Sequence, residues 1–385
     1  MNIRNILITG GRAPATLHLC RLLKKAGYNI YIAESIKSHL CKYSNSIKNN
    51  FYVPSPNDDY DGYINSLIEI IKANEINFII PTCEEVFHIA KSKSKLEEFC
   101  IVFTDDFYKL NKLHNKFEFI NCFKSYGFNV PATWKLTSYN DFKEIVNSFD
   151  GDRKFVLKPV YSRFASQVQF IKIGEKLPEI YINEDFPWIL QEFIDGIQYC
   201  TYSIAHKGKI TAHTTYPTKF TAGIGANIYF EDINQSAIFN IIKTFVLKEN
   251  FTGQIAFDFI LTKEGIPYVL ECNPRATSGL HLFNFEDHLE AAFFNTTDNL
   301  LMPKASKPYC LKLAMLIYGV KNGYAFKKDW FKAITNSKDV VFDKDDIKPF
   351  FGQFAAALYL LYKSLILHKT VLETTTIDIE MGGNI

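Results

Sequence analysis

Two carboxylates, an amide and a guanidinium are gathered in the segments Ile255-Ala-Phe-Asp258-Phe259 and Tyr268-Val-Leu-Glu271-Cys272-Asn273-Pro274-Arg275. Lys263-Glu264-Gly265 supplies turn chemistry between them, so the two runs read as adjacent strands of a hairpin. On a hairpin Asp258 and Glu271 can face one side, and the strand period of two sends Asn273 to that same side. Two carboxylates and an amide oxygen on one face form a hard oxygen cluster of the kind Mg²⁺ takes beside phosphate oxygens. Pro274 ends the strand, and Arg275 projects next to the acids with a fork suited to a transferring phosphoryl group. The competing reading is a polar hairpin edge. It leaves acids among Phe, Val and Leu without a counter-ion, and buried unpaired carboxylates are costly.

Lys158 sits inside the apolar run Phe155-Val-Leu-Lys158-Pro159. A lysine there needs an anionic partner, and phosphate is a fitting one; the alternative is an edge lysine that snorkels to water. Near the start, Gly10-Gly11-Arg12-Ala13-Pro14 lies between a strand and a helix, where backbone N–H groups and the helix dipole favour an anion. The run does not fit G-x-G-x-x-G, and Glu34 as a ribose-binding acid gives only weak support for a dinucleotide site. Arg12 is read as substrate-facing, against a purely structural turn. Glu84 and Glu85 follow the strand Phe78–Pro81 at the carboxyl edge, where open α/β sheets bind ligands. Glu85 is expected to hold an amine or a cation, against an acid that merely suits a helix N-terminus.

The elements that position these groups begin with alternation. Asn5–Thr9, Tyr28–Ala33, Phe78–Pro81 and Cys100–Thr104 read as strands, with helices after Pro14, around 60–73 and from Glu84. This implies an open parallel sheet over residues 1–110. Residues 111–300 read as an α+β unit in two halves, 111–195 and 196–300. Its strands are expected at 155–159, 168–173, 188–194, 199–206, 209–215, 253–261 and 267–271. Residues 301–385 form a smaller C-terminal α+β region. The apolar stretch 350–367 is broken by Gln353, Tyr362, Lys363 and Ser364 and reads as a core helix rather than a membrane span.

Bulk composition narrows the function classes. Over 385 residues, 43 Lys plus Arg against 41 Asp plus Glu give a formal net charge of +2, which argues against a nucleic-acid coat. Only six of the basic residues are Arg, and only Arg offers a planar fork for carboxylate or phosphate. The eight Cys show no zinc-site spacing and read as buried thiols of a reducing cytoplasm. The first residues hold a short strand rather than a long apolar signal segment, so a cytoplasmic location with no membrane partner is expected.

At the hairpin the sequence resembles the ATP-grasp superfamily, most closely the branch of the carbamoyl-phosphate synthetase large subunit and biotin carboxylase. That branch ends its second ATP-binding half in E-x-N-P-R, matched by Glu271, Asn273 and Arg275, with Asp258 where an earlier metal ligand is expected. His114-Asn115-Lys116-Phe117, running to Gly127 and Pro131, resembles the family's entry to the fold, with Asn115 in place of the usual Asp. The resemblance implies that Lys116 and Lys158 hold the ATP phosphates. It implies that Gln191, Glu192 and Ile194 line the adenine edge and that Gln198 meets the ribose. Arg163, in Tyr161-Ser162-Arg163-Phe164, falls in the loop expected to close over the phosphates, and with Arg275 is assigned to catalysis. Gly225, in Thr221-Ala-Gly223-Ile-Gly225-Ala226-Asn227, falls in a strip assigned to substrate.

The implied cofactors are ATP and Mg²⁺, with Mn²⁺ as a substitute. The implied activity is joining a small-molecule carboxylate to an amine or amino acid through an acylphosphate. A kinase or carboxylase without amide formation is the second reading, and a nucleotide-binding regulator is the third. The resemblance also allows a homodimer.

Overall fold

The computed structural model describes residues 3–162, 167–223, 225–304, 307–325 and 327–381. Five parallel strands open the chain: β1 (Asn5–Thr9), β2 (Asn29–Glu34), β3 (Asn49–Tyr52), β4 (Phe78–Ile80) and β5 (Ile101–Val102). They lie in the order β3-β2-β1-β4-β5. Helices α1 (Pro14–Lys25), α2 (Tyr60–Ala73), α3 (Glu85–Lys91) and α4 (Lys93–Glu97) connect them. Pro14 occupies the first turn of α1, where its missing N–H costs nothing. Gly27 follows that helix at φ 96°, a conformation open to glycine.

Helices α5 (Phe107–His114) and α6 (Lys116–Ser125) lead into a four-stranded antiparallel sheet in the order β6-β9-β7-β8. Its strands are β6 (Thr133–Leu136), β7 (Lys154–Pro159), β8 (Gln169–Lys172) and β9 (Trp188–Glu192), with α7 (Tyr139–Asn147) packed on it. The next sheet contains β10 (Ile197–His206) and β11 (Lys209–Pro217). After the short pairs β12 (Thr221–Ala222), β13 (Ala226–Asn227) and β14 (Tyr229–Phe230) comes α8 (Ser236–Lys248). The hairpin β15 (Gly253–Leu261) and β16 (Pro267–Asn273) then completes that sheet in the order β11-β10-β15-β16.

The phenylalanines build thick cores. Phe119, Phe123, Phe245 and Phe257 interlock between α6, α8 and β15, with the Phe123 and Phe245 rings stacked at 4.2 Å. Their burial anchors the hairpin that carries the acids. All eight cysteines are free and buried.

The last part comprises α9 (Leu289–Phe293), β17 (Tyr309–Cys310), α10 (Lys312–Lys321), α11 (Lys328–Asn336), β18 (Lys338–Asp339), α12 (Lys348–Leu367) and α13 (Val371–Thr374). It is tied back to the first sheet by buried ion pairs: Arg21 Nε donates to Asp346 at 2.9 Å, and Arg12 Nη1 to Asp378 at 2.6 Å. The expectation for 350–367 needs correction. The stretch is helical, but only 11% of its most apolar 18-residue window is buried. By length and composition alone α12 could cross a membrane. It is not a core helix.

Candidate active site

The hairpin pairs Asp258 directly with Glu271 and Ala256 with Asn273. Just beyond, the register slips by one residue between Asp258 and Phe259, so Leu270 has no partner of its own. Such a bulge re-aims neighbouring side chains; it lets Leu270 and Glu271 line one cleft together with Asp258. The Asp258 carboxyl is pushed up to about 7, by burial first and then by the Glu271 charge beside it. Burial opposes the charge on Glu271 too, but Lys116 and Lys158 outweigh it and hold that carboxyl low. One acid of the pair is therefore ready to ionise and the other already has.

Lys116 opens α6, whose N-cap is Asn115: the Asn115 side chain accepts from the N–H groups of Phe117 and Glu118. The departure from Asp at 115 thus keeps the capping chemistry. Lys116 Nζ reaches the Ser162 carbonyl at 2.9 Å and Glu271 Oε2 at 3.8 Å. Lys158, on β7, is only 6% exposed. Among the described residues it has no hydrogen-bond or ion-pair partner, and burial drops its ammonium to about 8. A desolvated cation facing two acids and an open cleft is placed for an anion.

The cleft has a volume of about 300 Å³. Lys116 and Lys158, with Asp258 and Glu271, line one part, and Gln191, Glu192, Ile194, Gln198 and Gly225 line the rest. Two details qualify the expected adenine contacts. The Glu192 N–H is already given to the Ala132 carbonyl at 2.8 Å, and the Gln191 amide donates to Thr133 Oγ1 at 3.1 Å. The backbone of Ile194 carries no hydrogen bond among the described residues, which leaves it as the open edge. Arg163 lies outside the described residues.

Beside this cleft, sharing Ser162 and Val168 with it, opens a second cavity of about 790 Å³. Tyr161, Tyr181 and Trp188 line its wall along with Glu84, Asp185, Glu373, Glu380 and Lys369. Glu84 accepts from Arg275 Nε at 2.7 Å, and its other oxygen lies 3.8 Å from His114 Nε2. Arg275 also donates to Asn273 Oδ1 at 3.1 Å. The guanidinium thus ties Asn273 to Glu84 on the wall of the larger cavity, while neither Arg275 nor Asn273 itself lines either cavity.

Arg12 and Glu85 are not where the sequence suggested. Arg12 Nη2 donates to Glu34 at 2.5 Å and to Asp378 at 2.8 Å, and its backbone N–H also goes to Glu34. Every face of its fork is taken, and it lines neither cavity. Glu85 accepts from Thr9 Oγ1 and from the N–H groups of Thr82 and Cys83, and burial raises its carboxyl. Both residues hold the β1 and β4 turns together. The acid that reaches the site is Glu84, one residue earlier. The closing Asp378-Ile-Glu380 reads from sequence either as part of the acceptor side or as a cap on the fold; the structure divides the two, with Asp378 bonded to Arg12 and Glu380 on the wall of the larger cavity.

Mg²⁺ is testable against these side chains. Among the described residues no three His, Cys, Asp or Glu gather to hold a metal by themselves. Two carboxylates with an adjacent amide nevertheless suit Mg²⁺, which usually keeps water and phosphate oxygens as its remaining ligands.

Residues 113–279 match the ATP-grasp domain family. The matched segment carries β7, β9 and the β15–β16 hairpin, and with them the cleft. Solved structures share the fold across most of the molecule. N5-carboxyaminoimidazole synthetase from Staphylococcus aureus, complexed with ADP, superposes with a TM-score of 0.62 at 14% identity, covering 84% of this chain and 87% of that one. L-amino acid ligase from Bacillus licheniformis gives 0.59 at 14% identity, covering 76% and 75%. The biotin carboxylase domain of the Hydrogenobacter thermophilus 2-oxoglutarate carboxylase, with MgADP and bicarbonate, gives 0.59 at 11% identity, covering 78% and 71%. At such identities the likeness is one of fold. No curated protein sequence matches the chain.

Proposed function

We propose that the protein is an ATP-dependent enzyme that phosphorylates a carboxyl group to form an acylphosphate. The observation that carries this reading is Lys158, buried and unpartnered opposite the Asp258–Glu271 pair. Cations and acids that converge on one cleft suit a triphosphate with its divalent ion. In this reading Asp258, Glu271 and Asn273 hold Mg²⁺ (or Mn²⁺), which when bound neutralises charge on the β- and γ-phosphates. Lys116 and Lys158 orient the phosphates, Ile194 meets the adenine edge, and Gln198 meets the ribose. Arg275, steadied by Glu84, holds the carboxyl substrate or the moving phosphoryl group. A carboxylate oxygen attacks the γ-phosphorus, the bond to the β-phosphate oxygen breaks, and ADP leaves. The chain's working units under this proposal are 1–110, 111–300 and 301–385.

The comparisons favour an ending in which the activated carboxyl is itself transferred, without amide formation between two larger molecules. Carboxylases and carboxyaminoimidazole synthetases recur among the similar structures, which supports the carboxylase reading ahead of carboxylate–amine ligation. Ligation stays as the second reading on one observation. The adjoining cavity is far roomier than a bicarbonate ion requires, and Asp185 on its wall offers a carboxylate to a cationic amine. Phosphate release from ATP decides between them. Release with bicarbonate and no organic acid supports carboxylation, release that needs an organic acid together with an amine supports ligation, and release with neither would remove the proposal.

A further inference from the structure

Helix α12 is built inside out. The face it turns to the protein consists of small residues: Pro349, Gly352 and Ala356 are its buried positions. Gly352 sits so close to Tyr43 that a Cβ there would lie 2.2 Å from the ring. The face it turns to water carries the large apolar groups. Every exposed residue from Phe351 to Leu367 is Ala, Leu, Ile, Phe or Tyr. An ordinary surface helix has the opposite arrangement.

The outward residues form an ordered stripe. Phe351, Phe354, Leu358, Leu361 and Leu365 follow one another at steps of three and four, the spacing at which one helix receives the knobs of another. Leu358 is 67% exposed and Leu365 74%. With full side chains near 200 Å², the exposed fractions of these five together with Tyr362, Ile366 and Leu367 leave about 900 Å² of apolar surface. The largest patch on a typical monomer is about 300–600 Å².

We infer that this stripe is a dimer interface, and that its occupant is α12 of a second copy of the chain. Two such faces together would bury about 1,800 Å², within the range of stable protein–protein interfaces. The stripe carries no exposed charge that would select a different partner by complementarity, and a uniform apolar face is complementary to itself across a two-fold axis. A helix crossing a bilayer would carry whatever packs on it into the hydrocarbon, whereas Gly352 holds one side of α12 against Tyr43 in the N-terminal part of the chain.

Sedimentation and light scattering of the full chain from about 1 to 100 μM, for wild type and for Leu358→Glu with Leu365→Glu, test this. The expected result is a wild-type dimer whose melting temperature rises with concentration, and a soluble monomeric variant that melts cooperatively at a temperature independent of concentration. A second variant, Leu358→Cys, places one exposed thiol at mid-stripe among buried native cysteines and should cross-link to itself under mild oxidation. A wild-type monomer throughout that range, a dimer that survives both glutamates, or a monomer that binds phosphatidylcholine vesicles through α12 would each overturn the inference.

Discussion

Asp258 lies directly across the β15–β16 hairpin from Glu271, two carboxylates in register with a bulge immediately beyond them. Two like charges so placed do not both ionise without a cation, and the protons of the site follow from that.

Proton exchange on nucleotide binding should change sign with pH. Asp258 titrates near 7 when the cleft is empty, and a metal ion binds its deprotonated form, so binding below pH 7 releases protons. Lys158 titrates near 8, and phosphate restores its charge, so binding above pH 8 takes protons up. Calorimetry of Mg·ADP in buffers of different ionisation enthalpy reads both signs. A proton count of zero from pH 6 to 9 would contradict the pairing.

The same groups shape the stability of the unliganded fold. Between its ordinary range and 7, Asp258 holds a proton in the folded chain that the unfolded chain has lost. It therefore contributes stability at low pH that disappears as pH rises to 7. Lys158 acts the other way: from 8 to its ordinary range the unfolded chain binds the extra proton, so stability rises with pH there. Asp258→Asn should flatten the first slope, as read by denaturant unfolding.

Lys158→Met should separate binding from folding. Removing a buried, unpartnered charge leaves thermal stability equal or higher. Loss of a charge-assisted bond worth about 1.5–3 kcal/mol weakens nucleotide binding about 10- to 100-fold. A thermal-shift series with Mg·ADP reports both quantities at once.

Glu84→Gln should weaken the fold as well as the chemistry. Glu84 is 1% exposed and bonded to Arg275, and uncoupling a buried pair costs about 3–5 kcal/mol. Arg12→Met should cost a comparable amount by stranding Glu34 and Asp378. The two differ in kinetics. Arg12→Met leaves KM for the carboxyl substrate unchanged in the folded fraction, and Glu84→Gln raises KM or lowers kcat.

The contrast between Glu84 and Glu85 shows where sequence reading stops. Strand positions were readable as short apolar runs between turn residues, and they are buried almost continuously; Asp258 opposite Glu271 follows from turn chemistry and register. Which of two adjacent acids at a strand end turns toward the cleft depends on the loop's path, and here Thr9 and two backbone N–H groups claim Glu85. Arg12 failed for a longer-range reason: its partner Asp378 lies 366 residues away, and no local pattern announces that meeting. Helix α12 was readable as a helix but not as an exposed one, since apolar residues look the same whether they face a core or a partner.

The central claim is that an oxygen of the substrate carboxyl attacks the γ-phosphorus. Incubating the protein with Mg·ATP and ¹⁸O-labelled bicarbonate, or ¹⁸O-labelled amino acids with an amine, tests it by mass spectrometry of the phosphate released. Phosphate that carries one ¹⁸O from the carboxyl group is the predicted result. Unlabelled phosphate, formed at the same rate whether or not an acid is present, would contradict it.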